Sequence, residues 1–162
     1  MTNNKKGDIV KKTYGNLIDF MEMGMFDVMV HGCNCFHKMG AGIAKEIKQR
    51  YPQAYHTDTM YTKRADEEKL GTYSSVSVIS KKNKDVSFYI VNGYTQFEYG
   101  KGVHIDYIAL EKVFEKIKND FYGLRIAYPK IGAGLAGGDW KKISKIIDEK
   151  LENCDHTLVL LN

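Results

Sequence analysis

Two glycine-rich segments restrict the possible folds of this chain more than any other feature. The first, HGCNCFHKMGAGIA, covers residues 31–44 and follows an apolar run at 26–30. The second, PKIGAGLAGGDW, covers residues 129–140 and follows an apolar run at 124–128. Each segment leads into a predicted helix. A strand, a small-residue turn and a helix are typical of α/β folds, in which ligands bind beyond the carboxyl ends of the strands.

Hydrophobic periodicity predicts further strands and helices around these segments. Strands are predicted at 8–14, 26–30, 71–80, 86–91, 124–128 and 157–161, and helices at 41–51, 54–65, 105–121 and 140–151. The runs 71–80 and 86–91, joined by the turn KKNKD, are predicted to form a hairpin. Pro52 is expected to stop a helix, and Asp139 is expected to cap one. The alternation predicts a three-layer α/β/α architecture with a central mixed sheet.

Length and composition favour one domain covering residues 1–162. The net charge of +4 is mild and gives no strong signal for nucleic acid. No apolar run is long enough to cross a membrane, and the N-terminal MTNNKKGD lacks the apolar region of a signal peptide. Three cysteines are an odd number, which favours reduced thiols. We therefore expect a cytoplasmic monomer.

The small residues of the two segments predict an anion site. Each contains Gly-Ala-Gly, where backbone N–H groups can approach an anion closely, and the N-terminus of the following helix adds a positive dipole end. Neither segment has the phosphate-loop pattern G-x-x-x-x-G-K-[ST]. One such segment could be merely a tight turn. Two of them at equivalent strand ends favour a diphosphate site.

On these motifs the chain resembles the macro domain family, which binds ADP-ribose. VHGCN at 30–34, a five-residue spacer and GAGIA at 40–44 resemble its first loop, and YPKIGAGLAGGDW at 128–140 resembles its phosphate-cradling loop. The sequences of the two loops are most similar to those of ADP-ribose 1''-phosphate phosphatases and of related hydrolases that remove ADP-ribose from glutamate. The resemblance implies a macro domain fold, ADP-ribose or ADP-ribose 1''-phosphate as the ligand, no cofactor and no metal.

The resemblance also implies a set of ligand-binding residues. Asn16 and Leu17 would lie near the adenine, with Asn where the family usually has Asp, and Asn162 would border the adenosine. The similar letters Gly7-Asp8-Ile9 are interpreted as a decoy, because they precede the first predicted strand. The distal ribose and its phosphate would contact Gly32, Cys33, Asn34, Met39, Gly40, Ala41, Gly42, Ile43 and Ala44. The diphosphate would contact Lys130, Ile131, Gly132, Ala133, Gly134, Leu135 and Ala136.

Three residues are the predicted catalytic groups. Asn34 would anchor the distal ribose or phosphate and orient a water, or would cap its own loop. His31 would act as an acid or base, or would be a structural histidine. Asp139 would activate water or bind ribose, and it is also placed to cap a helix.

The function with most support is hydrolysis of ADP-ribose 1''-phosphate to ADP-ribose and phosphate. The glutamate-specific relatives use a Lys and an Asp, but this chain has Asn92-Gly-Tyr94 and Ala136 at the matching positions. Binding of ADP-ribose without catalysis, and hydrolysis of ADP-ribose esters on protein or nucleic acid, remain alternatives. A zinc site formed by His31, Cys33, Cys35 and His37 would need an extended chain, which conflicts with a phosphate-binding turn.

Overall fold

The computed structural model describes residues 11–134 and 136–161. Three sequence predictions lie outside this range: the decoy Gly7-Asp8-Ile9, the diphosphate residue Leu135 and the adenosine residue Asn162. The predicted strand at 8–14 lies partly outside it.

The described residues form one mixed sheet of six strands. In chain order the strands are β1 (Lys12–Tyr14), β2 (Val28–Cys33), β3 (Tyr73–Ile79), β4 (Ser87–Tyr94), β5 (Ile126–Tyr128) and β6 (His156–Leu160). Their spatial order is β1-β6-β5-β2-β4-β3. All neighbouring pairs are parallel except β3 and β4, which form the predicted hairpin.

Helices cover both faces of the sheet. They are α1 (Leu17–Glu22), α2 (Gly42–Arg50), α3 (Pro52–Tyr61), α4 (Tyr107–Asp120) and α5 (Trp140–Lys150). Alternate residues of β2 point to opposite faces. Val28 and Val30 pack with the apolar residues of α4 and α5, whereas Met29 packs with those of α1, α2 and α3. The predicted three-layer α/β/α architecture is therefore confirmed.

The ends of several elements differ from the prediction for physical reasons. β2 and β4 extend to Cys33 and Tyr94, because their pairing continues through Gly32 and Gly93. α3 begins at Pro52 itself, since the first position of a helix needs no N–H donor. The short helix α1 was not predicted.

The five α-helices of the described residues are short, from 6 to 14 residues. Within residues 11–134 and 136–161, none is both long and apolar enough to cross a bilayer.

Candidate functional site

The two glycine-rich segments lie at the same edge of the sheet. β2 and β5 are parallel neighbours, so the β2–α2 loop (residues 34–41) and the β5–α5 loop (residues 129–139) leave adjacent strand ends, as predicted. In the spatial order of the sheet, the connection after β2 leads toward β3 at one edge, whereas the connection after β5 leads toward β6 on the other side. Such a switch point is the usual position of a ligand crevice in an open α/β sheet.

The β2–α2 loop ends in an open backbone turn. A Cβ atom added to Gly40 or Gly42 would meet no described atom within 4 Å. Ala41 is the N-cap of α2, and it supplies no side-chain hydrogen bond to the first turn. Ala is a poor capping residue, and it leaves the first N–H groups of the helix for another acceptor. This turn can therefore accept an anion against backbone N–H groups.

The β5–α5 loop combines a packed part with an open part. Gly132 has a left-handed φ of 73°, and an added Cβ would lie 2.6 Å from Ile105 Cδ1. The Gly138 N–H donates to the Gly132 carbonyl at 2.7 Å, which closes the loop on itself. A Cβ added to Gly134, in contrast, would meet no described atom within 4 Å. The side chains of Ile131 and Ala136 are buried, so only their backbone groups are available to a ligand.

The side chain of Asn34 forms hydrogen bonds within its own loop. Its Oδ1 accepts from the N–H groups of Phe36 at 2.9 Å and Lys38 at 3.3 Å, and its Nδ2 donates to the Lys38 carbonyl at 2.8 Å. The alternative interpretation, a loop-capping side chain, is therefore confirmed. Its amide oxygen already accepts two N–H groups, and the expectation that Asn34 orients a catalytic water stays a prediction.

His31 is completely buried beneath the β2–α2 loop. Its Nε2 lies 2.7 Å from Asn92 Oδ1. Asn92 Nδ2 donates to the Ala54 carbonyl and to Ser74 Oγ, so Asn92 Oδ1 must accept and His31 must carry its proton on Nε2. Burial lowers the pKa of His31 and favours the neutral ring. The ring is fully buried and hydrogen-bonded to Asn92, as expected for the alternative of a structural histidine, and the acid or base role stays a prediction.

We expect buried His31 to make the protein less stable in mild acid. The unfolded chain binds a proton near the ordinary pKa of 6.5, whereas folded His31 binds one only at lower pH. More protons are then bound in the unfolded state, so stability falls as pH decreases from about 7 to about 5, by at most about 1.4 kcal/mol per pH unit for this group. In urea unfolding, the stability of His31→Gln should decrease less between pH 7 and pH 5 than the stability of the wild-type protein. His37 and His156, whose pKa values are also lowered, are present in both proteins. Equal pH dependence in the two proteins would contradict this role.

Two residues assigned to ligand binding place their side chains in the core. Leu17, the first residue of α1, packs in the same core cluster as Met29, and Met39 packs with Cys33, Cys35 and Tyr94. Both side chains are buried, so contacts of these two residues with a ligand would have to come from their backbone groups.

Asn16 and Cys33 have partners within the protein. Asn16 caps α1, with Oδ1 accepting from the Asp19 N–H at 3.0 Å and Nδ2 lying 3.4 Å from Glu46 Oε1. Cys33 Sγ lies 3.5 Å from His31 Nε2. Among the described residues, no three His, Cys, Asp or Glu side chains are arranged to hold a metal ion.

Asp139 lies at the exposed end of the site. Its side chain accepts from the Lys141 N–H at 3.0 Å, so the predicted capping of α5 is confirmed. Its own N–H donates to Tyr107 Oη at 3.0 Å. Lys130 is exposed on the same loop, with Nζ 6.0 Å from the centre of the Trp140 ring. Both charged groups are therefore accessible from solvent beside the β5–α5 loop.

Sequence reasoning missed three site-flanking residues, Phe36, Asp58 and Lys69. Phe36 packs against Phe97 and Tyr99, with ring centres 5.0 and 5.9 Å apart. Beneath the β2–α2 loop, Asp58 and Lys69 form a buried ion pair of 3.0 Å. No local pattern marks these two charges, since they resemble the exposed charges of any amphipathic segment.

The fold is an α/β/α domain with two glycine-rich loops at neighbouring central strand ends. The sequence profile described as "Macro domain" matches residues 30–147. The chain therefore belongs to the macro domain family, whose members bind ADP-ribose or hydrolyse its derivatives.

Individual relatives agree with this assignment. The chain is 34% identical over 144 residues to the "Uncharacterized 17.5 kDa protein in tk-vs intergenic region" of Enterobacteria phage T4, covering 86% of this chain and 88% of that protein. It is 40% identical over 47 residues to an ADP-ribose 1''-phosphate phosphatase of Aspergillus oryzae, covering 29% of this chain and 22% of the enzyme. The solved structure of Thermosipho africanus DarTG in complex with ADP-ribose has a similar fold, with a TM-score of 0.65 and 18% identity over 88% of this chain and 39% of that chain.

Proposed function

We propose that this macro domain binds ADP-ribose across its two glycine-rich loops and removes the terminal phosphate from ADP-ribose 1''-phosphate. The observation that carries the proposal is the pair of open turns at adjacent strand ends. Gly40 and Gly42 in one, and Gly134 in the other, leave their backbone unshielded among the described residues. The partial similarity to the Aspergillus oryzae phosphatase supports the choice of substrate.

In this proposal the diphosphate lies between the two loops. Backbone N–H groups within Gly40–Ala44 and Gly132–Ala136 hold its oxygens, since the Ile131 N–H already donates to the Pro129 carbonyl, and exposed Lys130 adds a positive charge. The adenosine extends toward Asn16, and the distal ribose lies beside the β2–α2 loop. Leu135 and Asn162 are assigned on the family resemblance alone. Leu17, Cys33 and Met39 do not need to contact the ligand through their side chains, because their backbone groups can line the binding site.

Hydrolysis of the phosphate monoester uses water as the nucleophile. Water attacks phosphorus, the bond between phosphorus and the ribose O1'' breaks, and the leaving oxygen takes up a proton to give ADP-ribose and inorganic phosphate. N–H groups aimed at the phosphoryl oxygens stabilise the charge of the transition state. Asp139 is the group that we assign to orient the attacking water, since its carboxylate is exposed beside the β5–α5 loop.

Two substrates offered in parallel test the proposal. The purified protein is incubated with ADP-ribose 1''-phosphate and, separately, with ADP-ribosylated protein, and both products are measured. We expect inorganic phosphate from the first substrate and no free ADP-ribose from the second. The absence of phosphate release at high protein concentration would reject the phosphatase activity.

Asp139 variants separate catalysis from helix capping. Asn is a good N-cap, so Asp139→Asn should keep the stability of the fold, whereas Asp139→Ala should lose about 1 kcal/mol. If the carboxylate orients water, both variants should lose turnover by about 100-fold or more. Phosphate release and thermal unfolding are measured for both. Full activity in Asp139→Asn would limit this residue to its capping role.

Binding without catalysis is the second candidate function. It is favoured by the burial of His31 and by the hydrogen bonds that Asn34 makes within its own loop. Of the three predicted catalytic residues, Asp139 is then the one with an accessible side chain. Calorimetry that shows tight ADP-ribose binding, together with no product from either substrate, would select this function.

A further inference from the structure

Two residues other than glycine adopt a left-handed backbone where the β2–α2 loop meets the segment after α3. Among the described residues, only three that are not glycine have a positive φ: His37 at 60°, Ala65 at 58° and Asn153 at 67°. His37 belongs to the β2–α2 loop, and Ala65 belongs to residues 62–65, which we call the α3 tail. Such conformations cost free energy and persist where the surroundings enforce them.

The α3 tail contacts the loop through two hydrogen bonds. The Ala65 N–H donates to the Cys35 carbonyl at 2.7 Å. The Thr62 hydroxyl donates to the Asp58 carbonyl one helical turn earlier, so its oxygen is left to accept from His37 Nε2, which lies 3.1 Å away. Each of the two left-handed residues therefore takes part in one contact between the segments.

The α3 tail is in turn attached, through Thr62, to Asp58 of the buried ion pair. Asp58 is 1% exposed, and its Oδ1 accepts from Lys69 Nζ at 3.0 Å and from Tyr94 Oη at 2.7 Å. Tyr94 is the last residue of β4, the strand beside β2. A buried ion pair thus lies next to the α3 tail and the end of β4.

We propose that Thr62 and Asp58 are positioning residues, which hold the β2–α2 loop in the strained conformation that presents Gly40 and Gly42 to the ligand. This inference rests on the proposed binding of ADP-ribose at that loop. Neither residue needs to touch the ligand. Without the Thr62–His37 hydrogen bond, the loop populates the binding-competent conformation for a smaller fraction of the time, and the apparent affinity decreases by that fraction.

The experiment compares ADP-ribose binding by calorimetry in the full chain and three variants. Thr62→Val removes the hydroxyl at nearly constant shape, and we expect affinity to fall about fivefold to tenfold. Thr62→Ser keeps the hydroxyl and should bind ADP-ribose about as well as the wild-type protein. Thr59→Val is the matched control, because the Thr59 hydroxyl also donates to a carbonyl one turn earlier, that of Tyr55, and contacts no loop residue within the described chain.

Amide hydrogen exchange of the ligand-free protein provides the second measurement. Faster exchange confined to residues 35–40 in Thr62→Val supports the positioning role. If Thr62 only stabilised the fold, the amides of α3 itself would also exchange faster. If Thr62→Val folds poorly, His37→Ala removes the same hydrogen bond from the half-buried loop side and should weaken binding to the same extent.

The possible outcomes distinguish the two proposals. Unchanged affinity in both Thr62→Val and His37→Ala, with wild-type binding intact, would overturn the positioning role and leave the proposed function in place. If wild-type protein does not bind ADP-ribose, the proposed function fails, and unchanged loop exchange in Thr62→Val would then overturn the positioning role as well.

Discussion

Replacing Lys69 by methionine is expected to lower the free energy of unfolding by about 3–5 kcal/mol, because it leaves the carboxylate of Asp58 buried without its counter-charge. The Lys69 ammonium lies 3.0 Å from Asp58 Oδ1, and the side chains are 3% and 1% exposed. The hydroxyl of Tyr94 still donates to Asp58 but carries no charge. Urea denaturation followed by circular dichroism measures the difference.

Two controls test whether the unpaired charge is the cause. The double variant Asp58→Asn, Lys69→Met removes both charges and should recover much of the lost stability. Arg125→Met breaks the exposed pair of Arg125 with Asp27, 2.9 Å apart, and should cost less than about 1 kcal/mol because water solvates both partners. A loss below about 1 kcal/mol in Lys69→Met would show that Asp58 is not destabilised by losing its partner.

Replacing Gly134 by valine is expected to abolish ADP-ribose binding while the fold stays intact. Among the described residues nothing lies within 4 Å of a Cβ added at Gly134, and its φ is outside the left-handed region that favours glycine. The added methyl groups would instead occupy the space over the loop that the diphosphate needs. We expect affinity to fall by about 100-fold or more, equivalent to about 2.7 kcal/mol, as measured by calorimetry.

Gly132→Ala is the contrasting variant in the same loop. There the left-handed φ and the 2.6 Å approach to Ile105 Cδ1 oppose any side chain, so the variant should lose stability in thermal unfolding. Gly134→Ala, with one small methyl, should have an intermediate effect on binding. Wild-type affinity in Gly134→Val would contradict the assignment of the β5–α5 loop to the diphosphate.

The elements that sequence reasoning identified correctly are those with a strong local signal. The hairpin of β3 and β4 follows from alternation and a polar turn, and the capping of α5 follows from Asp139 at the start of an apolar period. The short helix α1 was missed because six residues carry too little periodicity, although Asn16 is a good N-cap.

The roles of the predicted catalytic residues depended on distant parts of the chain. His31 and its partner Asn92 are 61 positions apart, and their contact arises only because β2 and β4 pair in the sheet. The motif around His31 predicted a position at a strand end, but not which face of the strand the ring occupies. For Asn34 the partners are local, yet only the folded loop shows that its amide oxygen is already used.

The architecture and the placement of two glycine-rich loops at neighbouring strand ends could be read from the order of residues. Periodicity, turn residues and small side chains act over a few positions, so these preferences can be recognised in short stretches of the sequence. The burial of His31, the ion pair of Asp58 with Lys69 and the contact of Thr62 with His37 arose only on folding. Those properties depend on which remote groups exclude water and supply partners, and neither is recorded in any local stretch of the chain.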